Sequence, residues 1–146
     1  MRESYFGAAV LGLTTLGLTV PATAQETRTT VAGPGCPAKW GPPDGRLYAW
    51  DAQDCQGSPL AVPNGGNRGP AADRASSLMN RGYTGGLDHA AVYGKPDYAG
   101  GHACLAPGEQ YADDLAHSRF TDGTPVNDAI SAHLWVNRSA CGAFLT

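Results

Sequence analysis

Tyr93-Gly-Lys-Pro-Asp-Tyr-Ala-Gly100 sets an aromatic residue, a second aromatic five positions on, and a glycine seven positions on; Trp50-Asp-Ala-Gln-Asp-Cys-Gln-Gly57 repeats the frame with cysteine in the middle position. Each copy leads to a short acidic-to-serine phrase: Asp73-Arg-Ala-Ser76-Ser77 follows the first and Asn127-Asp128-Ala-Ile-Ser131 the second. A unit that occurs twice points to two similar supersecondary pieces stacked so that together they bury a core neither could bury alone.

Around these copies, glycine and proline recur every few residues, at Gly41-Pro42-Pro43, Asp44-Gly45, Pro63-Asn64-Gly65-Gly66, Gly69-Pro70, Gly85-Gly86, Pro107-Gly108 and Asp122-Gly123. Such punctuation leaves little room for long helices and predicts an all-β chain of short strands and turns. The expected strands are Arg46–Asp51, Ser58–Val62, Ser76–Asn80, Asp88–Tyr93, His102–Leu105 and Ile130–Val136. In the last of these, Ile130, Ala132, Leu134 and Val136 alternate with Ser131, His133 and Trp135. Gln110–Leu115 reads as a short helix or loop, and Ala116–Pro125 as an extended insertion. The interval from aromatic to motif serine is 26 residues from Trp50 to Ser76 and 38 from Tyr93 to Ser131, most of the excess lying around His117–Thr124. A long loop on a compact β scaffold is either a binding element grafted there or an insertion tolerated at small thermodynamic cost.

The first residues belong to another category. An uncharged Ser4–Val20 stretch follows Arg2 and ends in the small-residue pattern Pro21-Ala22-Thr23-Ala24, so residues 1–24 read as a secretory signal peptide cut near Ala24. Gly12, Thr14, Thr15, Gly17 and Thr19 interrupt it too often for a membrane span. Residues 25–35 read as a flexible leader and 36–146 as one domain, with motif one at about 45–82 and motif two at about 87–137. A secreted, extracellular chain with four cysteines implies two disulfides, for which three pairings exist. Joining Cys36 to Cys55 and Cys104 to Cys141 keeps each bridge inside one copy. The rival, a zinc site started by His102-Ala-Cys104, has no C-x-x-C pair behind it. A net charge of −3 with scattered arginines offers no footprint for nucleic acid or an anionic membrane, and a monomer is expected.

The paired frames resemble the Greek-key motifs of the βγ-crystallin superfamily, from about Gly45 to Val136. The resemblance implies a βγ-crystallin-like sandwich of two Greek-key motifs, in which Trp50, Gly57, Tyr93, Tyr98 and Gly100 are structural. Gly57 and Gly100 would take φ > 0 and the aromatics would pack over the folded hairpin. The exported, disulfide-bonded form with Ala72-Asp-Arg-Ala-Ser-Ser77 is most similar to a bacterial peptidase-inhibitor family that includes metalloproteinase inhibitors, and to killer-toxin-like relatives.

The superfamily's calcium pattern, two Asn or Asp, two free positions, Ser or Thr, then Ser, is met incompletely. Ala72 stands at the first position of one copy and Ala132 at the last of the other. Asp73, Ser76, Asn127, Asp128 and Ser131 remain as calcium ligands, too few to fill shells of six to eight oxygens without carbonyls and water. The alternative is that Asp73, Ser76, Asp128 and Ser131 only satisfy loop backbone. No catalytic fingerprint such as G-x-S-x-G, H-E-x-x-H or a P-loop occurs, so the expected function is binding and not catalysis. The leading reading is a secreted inhibitor of a protease, of the metal-dependent class that the resemblance implies, requiring no cofactor and acting through a rigid loop. Its candidate contacts are Arg68 in Pro63–Pro70, and Arg119 and Phe120 in His117–Thr124. The alternatives are an extracellular calcium-binding or stability protein and a small antimicrobial toxin.

Overall fold

The structure, a computed structural model, describes residues 35–62, 66–67 and 72–146. The signal segment, all of the leader except Gly35, and Arg68 lie outside the described residues. A single α-helical turn, α1 (Cys36–Lys39), precedes β1 (Arg46–Trp50), β2 (Gly66–Asn67), β3 (Ser77–Arg81), β4 (His89–Lys95), β5 (Ala99–Leu105), β6 (Tyr111–Ala112) and β7 (Ala132–Val136). These strands form two antiparallel sheets, β1-β3-β6 and β2-β7-β4-β5.

The short strands connect the two halves of the sequence. β2, from the first half, pairs with β7 through Gly66↔His133 and Asn67↔Ala132, while β6, from the second, pairs with β3 through Leu78↔Ala112 and Met79↔Tyr111. Each half therefore completes the other's sheet. β6 lies where the sequence suggested a helix or loop, because two residues are too few to show a period of two. The expected strand Ser58–Val62 reduces to one bridge, Ala49↔Leu60.

Between the sheets, Leu47, Ala49, Leu78 and Ala112 of the first meet Ala90, Val92, Ala103 and Leu105 of the second. The outward faces are also partly covered. On the first sheet, Trp50 and Met79 pack with Cys36, Cys55 and Trp40. On the second, Ala91, Cys104 and Val136 pack with Cys141 and Tyr93. The disulfides Cys36–Cys55 and Cys104–Cys141 hold the two covering segments in place, in the pairing that the repeat favoured.

The inward residues of β7 are those that look polar in sequence. His133 is only 5% exposed and Trp135 packs against the main core, whereas Leu134 is 38% exposed. Burial disfavours the charged imidazole and lowers the pKa of His133 from its ordinary 6.5.

Both aromatic-to-glycine frames fold into the same left-handed turn. Asp54, Cys55 and Gly57 have φ of 56°, 52° and 79°; Asp97, Tyr98 and Gly100 have 61°, 57° and 76°. A residue with a Cβ pays about 1–2 kcal/mol in this region, which is why the fifth position needs a partner. Tyr98 sets its ring edge-on to Tyr93 at 5.6 Å. Cys55 is fixed by its disulfide and by donation of its N–H to Ser77 Oγ at 3.0 Å, and that hydroxyl in turn donates to Ala52 O at 2.7 Å. The serine closing the first motif thus supports the turn.

Two outcomes follow from this packing. An added Cβ at Gly57 meets nothing within 4 Å, so Gly57→Ala isolates the backbone term and should cost about 1 kcal/mol in chemical denaturation. Because the pKa of His133 is depressed on folding, the unfolded chain binds more protons below the ordinary imidazole value. Stability should therefore fall as pH drops from 7.5 to 5.5, and His133→Gln should flatten that slope.

Candidate functional site

The strand ends on one side of the two sheets gather both acidic-to-serine phrases and the long insertion. The phrases are crossed: Asp73 N–H donates to Ile130 O at 2.9 Å and Asp128 N–H to Ala75 O at 3.0 Å. The side chains repeat the crossing, with Ser131 Oγ donating to Asp73 Oδ1 at 3.2 Å and Ser76 Oγ to Asp128 Oδ1 at 3.4 Å. Asp73 and Asp128 both take positive φ, 58° and 55°, a conformation a short polar side chain tolerates. Ser76 and Ser131 are buried while both aspartates are exposed.

This arrangement brings four of the five expected calcium ligands into two reciprocal carboxylate–hydroxyl pairs. The fifth, Asn127, donates its amide to Asp128 Oδ2 at 3.1 Å, and its Oδ1 is buried without a hydrogen-bond partner. Among the described residues no group of three or more His, Cys, Asp or Glu could hold a metal. Each pair offers one carboxylate, so a bound calcium would draw the balance of its shell from Asn127 Oδ1, loop carbonyls and water.

The insertion is a built hairpin. After a 3₁₀ turn at Leu115–His117, Arg119 bridges Pro125, Val126 N–H donates to Ser118 O at 3.1 Å, and Phe120 N–H donates to Thr124 O at 2.9 Å. Its tip is organised by Asp122, which accepts from Thr124 Oγ1 at 2.6 Å, Thr124 N at 3.0 Å and Gly101 N at 3.2 Å. These bonds, the Thr124 hydroxyl foremost, hold the Asp122 carboxyl below the usual carboxylate range. Arg119 is exposed, and its guanidinium donates to Gly123 O across the tip at 3.2 Å.

Phe120 does not have the exposed role expected of it. It is 3% exposed and lies in the main core over Gly94 and Gly101, where an added Cβ would fall 3.2 Å and 2.7 Å from its side chain. An apolar ring next to an unfilled core is worth more buried than presented to solvent. The side chains available to a partner are those of Arg119 and of residues 121–124.

Sequence reasoning missed a second exposed feature, Tyr83 and Leu87, which are 65% and 63% exposed on the β3–β4 loop. Asn80 fixes the base of this loop by donating to Asp88 O at 3.0 Å and accepting from Gly82 N at 2.9 Å. The available signal was two large apolar residues among glycines outside any alternating segment. No family model, curated protein or solved structure matches the chain.

The two neighbours on the hairpin should respond oppositely to truncation. Phe120→Ala should lose about 3–5 kcal/mol of stability, while Arg119→Ala should stay within about 0.5 kcal/mol, both read by urea unfolding.

Proposed function

We propose that this is an exported protein of βγ-crystallin type that inhibits a secreted peptidase, of the metal-dependent class that the sequence resemblance implies, by presenting the hairpin Ser118–Val126 to the enzyme's cleft. The sandwich reading draws support from the doubled turn and from the exchange of β2 and β6 between halves. Two disulfides fit an oxidising compartment, and no helix among the described residues is long and apolar enough to cross a membrane.

The observation that carries the inhibitory reading is that the hairpin is exposed at its tip and fixed at both levels below it. Phe120 anchors the stem in the core and Asp122 ties the tip to itself and to β5. A loop held this way loses little further entropy on entering a cleft, and the lost entropy is a main cost of binding. It acts by occupying the site, with Arg119 as the long side chain at its edge.

Inhibition assays against a panel of secreted metallo- and serine peptidases test this. Replacing Thr121–Thr124 with a Gly-Ser linker, or Arg119 with Ala, should weaken inhibition at least tenfold. An unchanged inhibition constant with intact unfolding behaviour excludes the hairpin.

A second reading, calcium binding, is favoured by the crossed loops and the orphaned Asn127 Oδ1. With a dissociation constant on the order of 10⁻³ M, 10 mM calcium should add about 1.4 kcal/mol of stability. Asp128→Asn should remove that gain, and no rise in melting temperature in the wild type counts against the site.

A further inference from the structure

We propose that His102 is a pH-sensitive latch that couples the C-terminal segment to the hairpin, so that acid loosens the hairpin's seat. The inference rests on the hairpin being the peptidase-facing element and names how that element is regulated.

His102 joins three pieces of chain. Its backbone carbonyl accepts from Thr121 N at 3.0 Å and its N–H donates to Thr121 Oγ1 at 3.1 Å, which fastens the hairpin to β5. Its imidazole Nε2 accepts from Gly142 N at 3.0 Å, which fastens the C-terminal segment. The two fastened pieces also touch, since a Cβ added to Gly142 would lie 2.9 Å from the Thr121 methyl.

Acceptance at Nε2 requires the neutral ring with its proton on Nδ1. Adding a second proton turns Nε2 into a donor that faces the Gly142 N–H, and the hydrogen bond is replaced by two opposed N–H groups. The C-terminal segment has little room to move away. Cys141 is bonded to Cys104, Cys104 N donates to Ala143 O at 2.8 Å, and Leu145 N donates to Cys104 O at 2.8 Å. With both flanks of Gly142 pinned, the displacement falls on His102, the residue whose backbone carries both hydrogen bonds to Thr121.

The elements packed around His102 bring these groups. From β4 come the Tyr93 ring at 5.8 Å and Lys95, whose stem lies along Gly100; from the hairpin come Thr121 and the Asp122 carboxylate, bonded to the Gly101 amide. From the C-terminal segment come Gly142 and Cys141, which carry no charge. The ring's polar partner is the Gly142 N–H, while the Asp122 carboxylate is taken up by the Gly101 amide beside it. His89 is the other histidine near that tail, edge-on to Phe144 at 6.3 Å and paired with Asp88.

Amide exchange on the free, oxidised protein tests the latch. Between pH 7.5 and 5.5, the window in which imidazoles ordinarily titrate, protection at Gly142 and Thr121 should fall roughly three- to tenfold after correction for intrinsic rates, while Leu78 in β3 holds. His102→Gln keeps an acceptor without a titrating proton and should abolish the change. If that variant fails to fold, the wild-type Gly142 amide resonance should move with the His102 imidazole titration. Constant protection in the wild type, a fall that persists in His102→Gln, or a Gly142 resonance that ignores His102 would each overturn the proposal. Where a peptidase is inhibited, potency should weaken at pH 5.5 in parallel. A protein that inhibits nothing at either pH removes the functional reading, and the exchange data on the free protein still decide the latch.

Discussion

The facing surfaces of the two sheets are too small to fill the space between them, and the rest of the structure answers that deficit. Ala49, Ala90, Ala103 and Ala112 supply half of the inward strand positions in the main core. The missing volume comes from outside the strands: Leu115, Phe120, Val126, Ile130 and Leu145 enter the same cluster from turns, from the hairpin and from the C-terminus. At about 1.5–3 kcal/mol for each large side chain buried, these residues matter on the scale of a small domain's entire net stability. The insertion in the second half is therefore neither a free binding loop nor a tolerated excess. Phe120 and Val126 make it part of the core, and its exposed tip is rigid because its base is not optional.

The same economy explains the two covering segments. Among the described residues, neither sheet has a second sheet or a long helix on its outer face, so Trp50, Met79, Ala91 and Val136 would stand in water without a cover. Short segments cannot provide one through their own cohesion, because a four-residue helical turn lies far below the length at which helices persist alone. The disulfides solve this by fixing α1 and the Arg138–Leu145 segment against the sheets. Lys39 adds to the first cover, donating to Cys55 O and, at 2.7 Å, to Gly57 O while its ammonium lies 5.4 Å from the Trp50 ring centre. Covalent closure limits the unfolded chain where burial alone is too small to decide the fold.

How much of this was legible depended on whether a feature is local. The left-handed turns are written in eight residues each, so the glycines at 57 and 100 and the aromatics around them could be read directly. The partners of the cysteines followed from the same repeat. β2 and β6 could not be read, since each is two residues long and exists only because a strand from the other half lies beside it. The inward face of β7 could not be read for a related reason. Alternation gives two faces without saying which is covered, and here Trp135 and His133 turn inward while Leu134 remains exposed. Phe120 failed in the same way, because an aromatic in a polar loop looks like a contact residue until the glycine-lined space over Gly94 and Gly101 is known. At the candidate site, the residue types in the acidic-to-serine phrases were legible, but their crossing was not: each aspartate finds the other phrase's serine, a pairing across 52 or 58 residues of sequence.

These constraints meet at one end of the molecule. The crossed phrases tie the two halves together there, and the hairpin is tied to β5 within the same set of strand ends. Hydrogen bonds to exposed carboxylates contribute little individually, whereas the buried ring beneath the hairpin contributes several kcal/mol. Substitutions at the tip therefore cost little stability, while substitutions one residue away, at Phe120, act mainly on folding. Alternation along the first strand of the hairpin puts Arg119 and Thr121 on the solvent side and Phe120 in the core, and Asp122 follows at the exposed turn. A scaffold arranged in this way lets the exposed residues vary without reopening the core, and that is the physical ground for proposing this hairpin before the other described loops.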